Sequence, residues 1–261
     1  MIKCDFSFAG SVRVGGRIYL GGSDVFPEGC PYIKVSLEAS KLRAGMKLSS
    51  EGTELLRIVS GSWADQVPGA KTWVAEVLEP LPNSGSLDLK TERVGFSVAY
   101  VTLSDKGARG EREDTGGPLV GQIVSDTMAV SIVHGFLIPD EYGDLKSLLM
   151  NLAYTSKFDI IITTGGTGVG PRDVSPEATL AVIEKRLPGF ERAITTAGLE
   201  KTPHSMISRG IAGTLGESII INVPGSPKAV KESLEAVLPA LKHAVEKLQG
   251  DLSDCAKIRS V

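Results

Sequence analysis

"FDIIITTGGTGVGPRDVSPEAT", residues 158–179, runs an apolar stretch into a glycine-rich turn, an arginine–aspartate pair and a helix start. Ile160, Ile161 and Ile162 form a short continuous apolar run, the pattern of a strand covered on both faces. The turn that follows, TTGGTG (163–168), has a physical logic for anions. Glycines let successive backbone N–H groups converge without Cβ obstruction, and the threonine hydroxyls add donors. It is not a Walker A loop, because no Gly-Lys-Ser/Thr follows. A tight strand-to-helix turn needs glycine on steric grounds alone, so that plainer reading stays open. Beyond it, Ser175 reads as an N-cap and Pro176 as a first-turn residue of a helix over SPEATLAVIEKRL, 175–187.

Outward from this stretch, strands and helices alternate. FSVAYVTL (96–103) and AVSIVHGFLI (129–138) read as strands, with a helix at 115–128 between them. Leu145, Leu148, Leu149 and Leu152 make a helical stripe. ESIIINV (217–223) is a further strand. A last helix from about Pro227 to Leu248 presents Val230, Leu234, Val237, Leu238, Leu241 and Val245, with Pro239 expected to bend or break it. Alternation of this kind predicts right-handed crossovers and an α/β fold with a doubly wound, mostly parallel sheet.

Residues 1–93 have a different rhythm, that of a small all-β domain, barrel or sandwich. SVRVGGRIYLGG (11–22) reads as a hairpin turning at Gly15-Gly16, and YIKVSLEA places Ile33, Val35 and Leu37 on one face. Two further strand-like runs, GTELLRIV and KTWVAEVLEP, follow. Pro80, Pro82, Asn83, Ser84 and Gly85 form a breaker cluster that reads as a linker region. The expected organisation is therefore a β domain at 1–93, an α/β domain at 94–250 and a tail at 251–261.

Lys and Arg number 28 against 31 Asp and Glu, a net charge of −3. That balance gives no electrostatic case for nucleic-acid binding. No leader-like or bilayer-spanning apolar run is present, so no membrane role is expected. Cys4, Cys30 and Cys255 lack metal-ligand spacing and suit a reducing compartment, making a cytoplasmic protein the expectation.

In open α/β sheets ligands bind beyond the carboxyl ends of the strands. The residues there are Ser104 and Asp105 with the charged segment KGARGEREDTGG, then Asp140 and Glu141. Next come Thr164, Gly165, Gly166, Thr167 and Gly168 with Arg172 and Asp173, then Pro224, Gly225, Ser226 and Lys228. An anion nest beside two acids, Asp140 and Asp173, calls for a cation, and Mg²⁺ fits because it takes few carboxylates and bridges phosphates. Two plainer roles are open: Asp140 as an N-cap, and Asp173 as a partner of Arg172. None of the three histidines sits in a motif with Ser or Cys, so chemistry here would rest on positioning and electrostatics.

Leu-Ser-Asp, Ile-Pro-Asp-Glu, Thr-Thr-Gly-Gly-Thr-Gly…Pro-Arg-Asp-Val-Ser-Pro-Glu-Ala-Thr and Asn-Val-Pro-Gly-Ser-Pro-Lys, in that order, resemble the molybdopterin-binding family of molybdenum-cofactor biosynthesis. Its nearest members look like the bacterial molybdopterin adenylyltransferases and the G domain of gephyrin. The likeness covers about residues 96–250. It implies transfer of AMP from Mg-ATP to the terminal phosphate of molybdopterin, with release of pyrophosphate. Asp140 and Asp173 match the family's functional acids and metal site. TTGGTG and PGSPK match its ligand loops, with Ser104, Asp105, Ser226 and Lys228 orienting substrate. The resemblance also implies a homotrimer and a molybdenum insertase as partner. Rival readings are a non-catalytic molybdopterin-binding scaffold, a hydrolase of nucleotide pyrophosphates, and a regulator that senses molybdenum compounds through the β domain. KLRAGMKLSSEGTELLRIV (41–59) resembles β elements of MOSC domains, although no cysteine follows where a sulfur carrier would hold one. A chain starting near Glu92 is expected to fold and act alone.

Overall fold

The structure, a computed structural model, describes residues 2–7, 12–21, 31–35, 41–63, 71–82 and 84–252. Leu37, Cys30 and Cys255 lie outside the described residues, as does most of the 251–261 tail.

Seven strands close a barrel: Ile2–Ser7 (β1), Arg17–Gly21 (β2), Tyr32–Val35 (β3), Lys47–Ser50 (β4), Thr53–Trp63 (β5), Lys71–Val77 (β6) and Ser84–Glu92 (β7), in the order β1-β3-β2-β6-β5-β4-β7. Alternation sends Ile18 and Leu20, Ile33 and Val35, and Trp73, Ala75 and Val77 into its core beside Leu48, Leu56, Ile58 and Leu89. Two sequence expectations fail here. Val12 to Val14 form no strand, and the Gly15–Gly16 turn is pinned to β6 instead, by Gly15 N–H to Val77 O (2.7 Å) and Val77 N–H to Gly16 O (2.9 Å). The breaker at Pro80–Gly85 is no linker either, since β7 begins at Ser84 and closes the barrel against β1 and β4.

The α/β half comprises Phe96–Leu103 (β8), Asp105–Ala108 (α1), Gly116–Thr127 (α2), Val130–Ile138 (β9), Tyr142–Met150 (α3), Ile160–Thr164 (β10), Ser175–Leu180 (α4), Lys185–Arg186 (β11), Pro188–Leu199 (α5), Ala212–Leu215 (β12), Ser218–Val223 (β13) and Pro227–Leu248 (α6). A π turn, Asn151–Thr155, extends α3, and a 3₁₀ turn, Pro203–Ile207, follows α5. The sheet order is β11-β12-β13-β10-β8-β9, parallel from β13 to β9 and antiparallel at β11 and β12. All five residues of β10 are buried between β8 and β13, which accounts for the unbroken apolar run. One face packs on α3 and α4 through Leu145, Leu149 and Ala178. The other packs on α2 and α6 through Val120, Val124, Leu234, Leu238 and Leu241.

The helix expected over 175–187 stops at Leu180. Glu184 N–H bonds to Thr214 O (2.8 Å) and Leu187 N–H to Ala212 O (2.7 Å), so backbone pairing with β12 claims the segment. α6 runs unbroken through Pro239.

The barrel and the sheet share a seam. A bulge between Ile58 and Ser60 changes the phase of β5, so Ile58 stays in the barrel core while Val59 joins the α3–α4 cluster with Ala44. Asp159, fully buried just before β10, accepts from Ser97 N (2.7 Å), Ser97 Oγ (2.8 Å) and Gln249 Nε2 (2.7 Å). It is ion-paired to Arg93 and, across the seam, to Arg43 at 3.1 Å.

Candidate active site

Thr164 at the end of β10 lies opposite Thr102 of β8 and Val223 of β13, so the segments leaving three parallel strands meet. Thr164 Oγ1 donates to Pro224 O (2.9 Å) and Gly165 N–H to Val223 O (3.2 Å), tying the glycine turn to the Pro-Gly-Ser-Pro turn. Gly165 and Gly166 have φ of +96° and +62°. A Cβ on Gly165 would fall 2.5 Å from Leu103 O. Both conformation and space therefore demand glycine.

Ser175 does not cap α4. Its hydroxyl donates to Gly165 O (2.8 Å) and its amide to Gly166 O (3.0 Å), locking the turn from beneath, while Val174 holds the N-cap position without a side-chain bond. Gly165 N–H is spent on Val223, which corrects the expectation that its amide faces a ligand. The amides of Gly166, Thr167 and Gly168 form no hydrogen bond among the described residues.

The acids flank this turn. Asp105 and Asp140 bond reciprocally, Asp105 N–H to Asp140 Oδ2 (2.9 Å) and Asp140 N–H to Asp105 Oδ1 (3.1 Å). Asp140 Oδ1 lies 3.4 Å from where a Cβ on Gly166 would stand. Asp173 Oδ2 accepts from Gly170 N–H (2.7 Å), and a Cβ on Gly168 would fall 2.8 Å from it. Both plainer roles fail. The N-cap of α3 is Glu141, and Arg172 pairs with Asp105 (2.8 Å) and Glu141 (2.7 Å) rather than with Asp173.

Burial pushes the Asp140 carboxyl above the usual carboxylate range. The bond with Asp105 offsets part of this, while the charges of Asp105 and Asp173 add to it. Asp105 is held low, first by Arg172 and then by the Asp140 amide, and the carboxylates of Asp105 and Glu141 keep Arg172 firmly charged. Among the described residues no group of three His, Cys, Asp or Glu forms a metal cage.

Two cavities open beside the turn. The first, about 290 Å³ and mainly apolar, is bounded by Thr167, Gly168, Ile194, Ile207, Pro224 and Ser226. The second, about 320 Å³ and more polar, is bounded by Ser104, Arg112, Asp114, Thr164, Gly225 and Ser226. Ser226 borders both, and its side chain also accepts from Ala229 N–H (3.3 Å) to cap α6. Ser104 likewise caps α1 through Gly107 N–H (3.0 Å). Lys228 is exposed, borders neither cavity and has no bonding partner among the described residues.

Asp114 was not singled out by sequence reasoning. It accepts from Thr102 Oγ1 (2.8 Å), Gly116 N–H (3.1 Å) and Gly117 N–H (2.9 Å), fastening the start of α2 to β8. An aspartate just before Gly-Gly at a helix start is the signal that would have found it. Arg112, also missed, brings an exposed guanidinium to the second cavity.

Residues 99–243 match the family model described as a probable molybdopterin binding domain. The chain belongs to this family. Among relatives, the molybdenum cofactor synthesis protein cinnamon of Drosophila melanogaster is 38% identical over 162 residues, covering 62% of this chain but 27% of that protein. This chain thus spans about a quarter of cinnamon's length. A molybdopterin adenylyltransferase of Helicobacter pylori is 34% identical over 155 residues, 59% of this chain and 88% of that one. The crystal structure of the molybdopterin biosynthesis enzyme MoaB from Thermus thermophilus superposes with a TM-score of 0.56 at 42% identity, covering 60% of this chain and 98% of that one. The family match begins within β8, so the barrel lies outside it.

Proposed function

We propose that this chain acts in molybdenum-cofactor biosynthesis by transferring AMP from ATP to the terminal phosphate of molybdopterin. The observation that carries the reading is the pair of cavities that share Ser226 and meet at the glycine turn, with Asp140 and Asp173 beside it. Two substrates that each end in phosphate need two ring-sized recesses whose phosphate ends converge. Membership of the molybdopterin-binding family and the adenylyltransferase relatives support the same assignment.

In this reaction a terminal phosphate oxygen of molybdopterin attacks the α-phosphorus of ATP. The α–β bridging bond breaks and pyrophosphate leaves. No side chain is needed as a covalent carrier; the protein positions and neutralises charge. The amides of Gly166, Thr167 and Gly168 hold phosphate oxygens, with Thr164 and Ser104 shaping the second cavity and Pro224, Gly225 and Ser226 the boundary between the two. Arg172, by engaging Asp105 and Glu141, keeps three loops in register without quenching Asp140 and Asp173.

The donor set fits Mg²⁺. Asp140 and Asp173 each keep one carboxylate oxygen without a hydrogen-bond donor among the described residues, and Mg²⁺ takes few carboxylates while retaining water and phosphate oxygens. Bound there, the cation would neutralise phosphate charge and stabilise the departing pyrophosphate.

The deciding experiment incubates the whole 261-residue chain with Mg-ATP and molybdopterin and follows adenylylated pterin and pyrophosphate. Both should form in equal amounts. Tight molybdopterin binding with no product would overturn the reading in favour of a scaffold. The same proposal places the protein in the cytoplasm as a homotrimer that hands its product to a molybdenum insertase. A concentration-independent monomer near 27.5 kDa by light scattering would sink the trimer.

A further inference from the structure

Arg209 lies between the 3₁₀ turn and β12, outside every motif of the sequence, yet it touches three pieces of the site. Its amide donates to Thr167 O (2.9 Å) and its Nε to Gly168 O (2.7 Å). Nη2 donates to Asp173 O (3.0 Å), and Nη1 pairs with Glu177 in the first turn of α4. The carbonyls of Gly168 and Asp173 have no other donor among the described residues.

Between those carbonyls the chain is tightly folded on the acid. Gly170 N–H donates to Asp173 Oδ2 and Asp173 N–H to Gly170 O (3.0 Å), and a Cβ on either Gly168 or Gly170 would come within 2.9 Å of Asp173 Oδ2. The ring closed by these bonds spans residues 170–173, with Gly168 leading into it and Asp173 at its end. Arg209 fastens both residues to α4.

We propose that Arg209 is a positioning residue. Its guanidinium clasps the ring so that the amides of Gly166–Gly168 and the unbonded oxygen of Asp173 keep the mutual placement that phosphate transfer needs. The proposal rests on the adenylyl-transfer reading above. A guanidinium can do this because it is a rigid fork with several donors, whereas a lysine offers one compact point charge. The ion pair with Glu177 is half exposed and secondary, as such pairs add little by themselves.

The test uses the full chain with Arg209→Lys, Arg209→Gln and Glu177→Gln, read in two ways. One is hydrogen–deuterium exchange across residues 164–175 in ligand-free protein. The other is the adenylylation rate across a Mg²⁺ titration. Arg209→Lys keeps the charge but should lose protection in that segment and require more Mg²⁺ for half-maximal rate. Its kcat should fall by about 10²-fold, the scale on which a misplacement near 1 Å acts. Glu177→Gln should change the rate a few-fold at most. A merely structural arginine would lower Tm without moving the Mg²⁺ requirement of the folded protein. Parental exchange and Mg²⁺ requirement in both Arg209 variants would overturn the clasp. If the parent makes no adenylylated product, the reaction assignment fails instead, and the exchange measurement still decides the clasp.

Discussion

Strand β10 has acids at both ends, and the protein treats them in opposite ways. At its start, Asp159 is fully buried and saturated, taking hydrogen bonds from Ser97 and Gln249 and ion pairs from Arg43 and Arg93. At its far end, Asp140 and Asp173 flank the glycine turn with an oxygen each left open among the described residues, while the adjacent Arg172 is engaged by Asp105 and Glu141. A buried carboxylate with every lone pair occupied joins parts of the fold. A carboxylate denied its obvious partner, beside amides that are also unbonded, is poised for something brought from outside.

The sharpest way to break that contrast is to remove the saturated acid. Asp159→Ala leaves the Arg43 guanidinium buried, with only Glu217 (3.0 Å) as an ion-pair partner among the described residues, and deprives both Ser97 donors of their acceptor. Removing one partner of a buried pair typically costs about 3–5 kcal/mol, so chemical denaturation should show a loss of that order. The adenylylation rate per folded molecule should stay near the parental value. A large drop in rate with parental stability would reverse the roles assigned to the two ends.

Next in size is the opposite change. Asp173→Asn and Asp140→Asn keep shape and remove charge, and losing one preorganised electrostatic group typically costs about 2.7–4 kcal/mol, or roughly 10²–10³ in rate. Tm should be little altered and molybdopterin should still bind, since the variants lose only a negative charge near an anionic ligand. Near-parental adenylylation in both variants, with circular dichroism unchanged, would leave these acids without the role proposed.

How much of this was legible in the sequence follows from the range of each interaction. β10 could be read because burial on both faces leaves a continuous apolar run, and the turn could be read because its glycines suit the positive φ values of Gly165 and Gly166, which side-chain-bearing residues rarely adopt. Asp140 and Asp173 could be located because ligand loops of such sheets gather at the carboxyl ends of the strands. Asp159 passed unnoticed, since a single acid beside an apolar run carries no periodic signal and its partners, Arg43 and Gln249, come from distant parts of the chain. Arg209 was silent for the same reason. The strand β11 was lost because SPEATLAVIEKRL has helical periodicity throughout, and only pairing with β12 overrides it.

A smaller effect tests the seam. A chain beginning at Glu92 lacks Arg43, Ala44 and Val59 but keeps Arg93, and with it one of the two guanidinium partners of Asp159. We expect it to fold, because 98% of the MoaB structure superposes on 60% of this chain and the family match starts within β8, and to adenylylate with lower stability than the full chain. Its loss should be smaller than that of Asp159→Ala, where both ion pairs vanish. Insoluble protein would mean that the barrel completes the core of the α/β half.

The smallest expected effect lies at the same seam and depends on pH. His134 of β9 stacks on Phe136 with ring centroids 4.8 Å apart and meets Phe158 edge-on at 6.4 Å. Burial, and after it the charge of Arg17 from barrel strand β2, holds its pKa below the ordinary value of 6.5. Between the folded value and 6.5 the unfolded chain binds a proton that the folded chain refuses. The stability gained by keeping this imidazole neutral is therefore complete above about pH 6.5 and drains as pH falls toward the folded value, below which the deficit is constant. His134→Gln removes the titration without adding charge. Across a Tm profile from about pH 7.5 down to about pH 5, the parent should lose more than the variant, while other titrating groups contribute equally to both and cancel. Arg17→Gln should narrow the gap only slightly, because burial is the larger cause. Parallel profiles for parent and His134→Gln would mean that neither burial nor the charge of Arg17 depresses this imidazole.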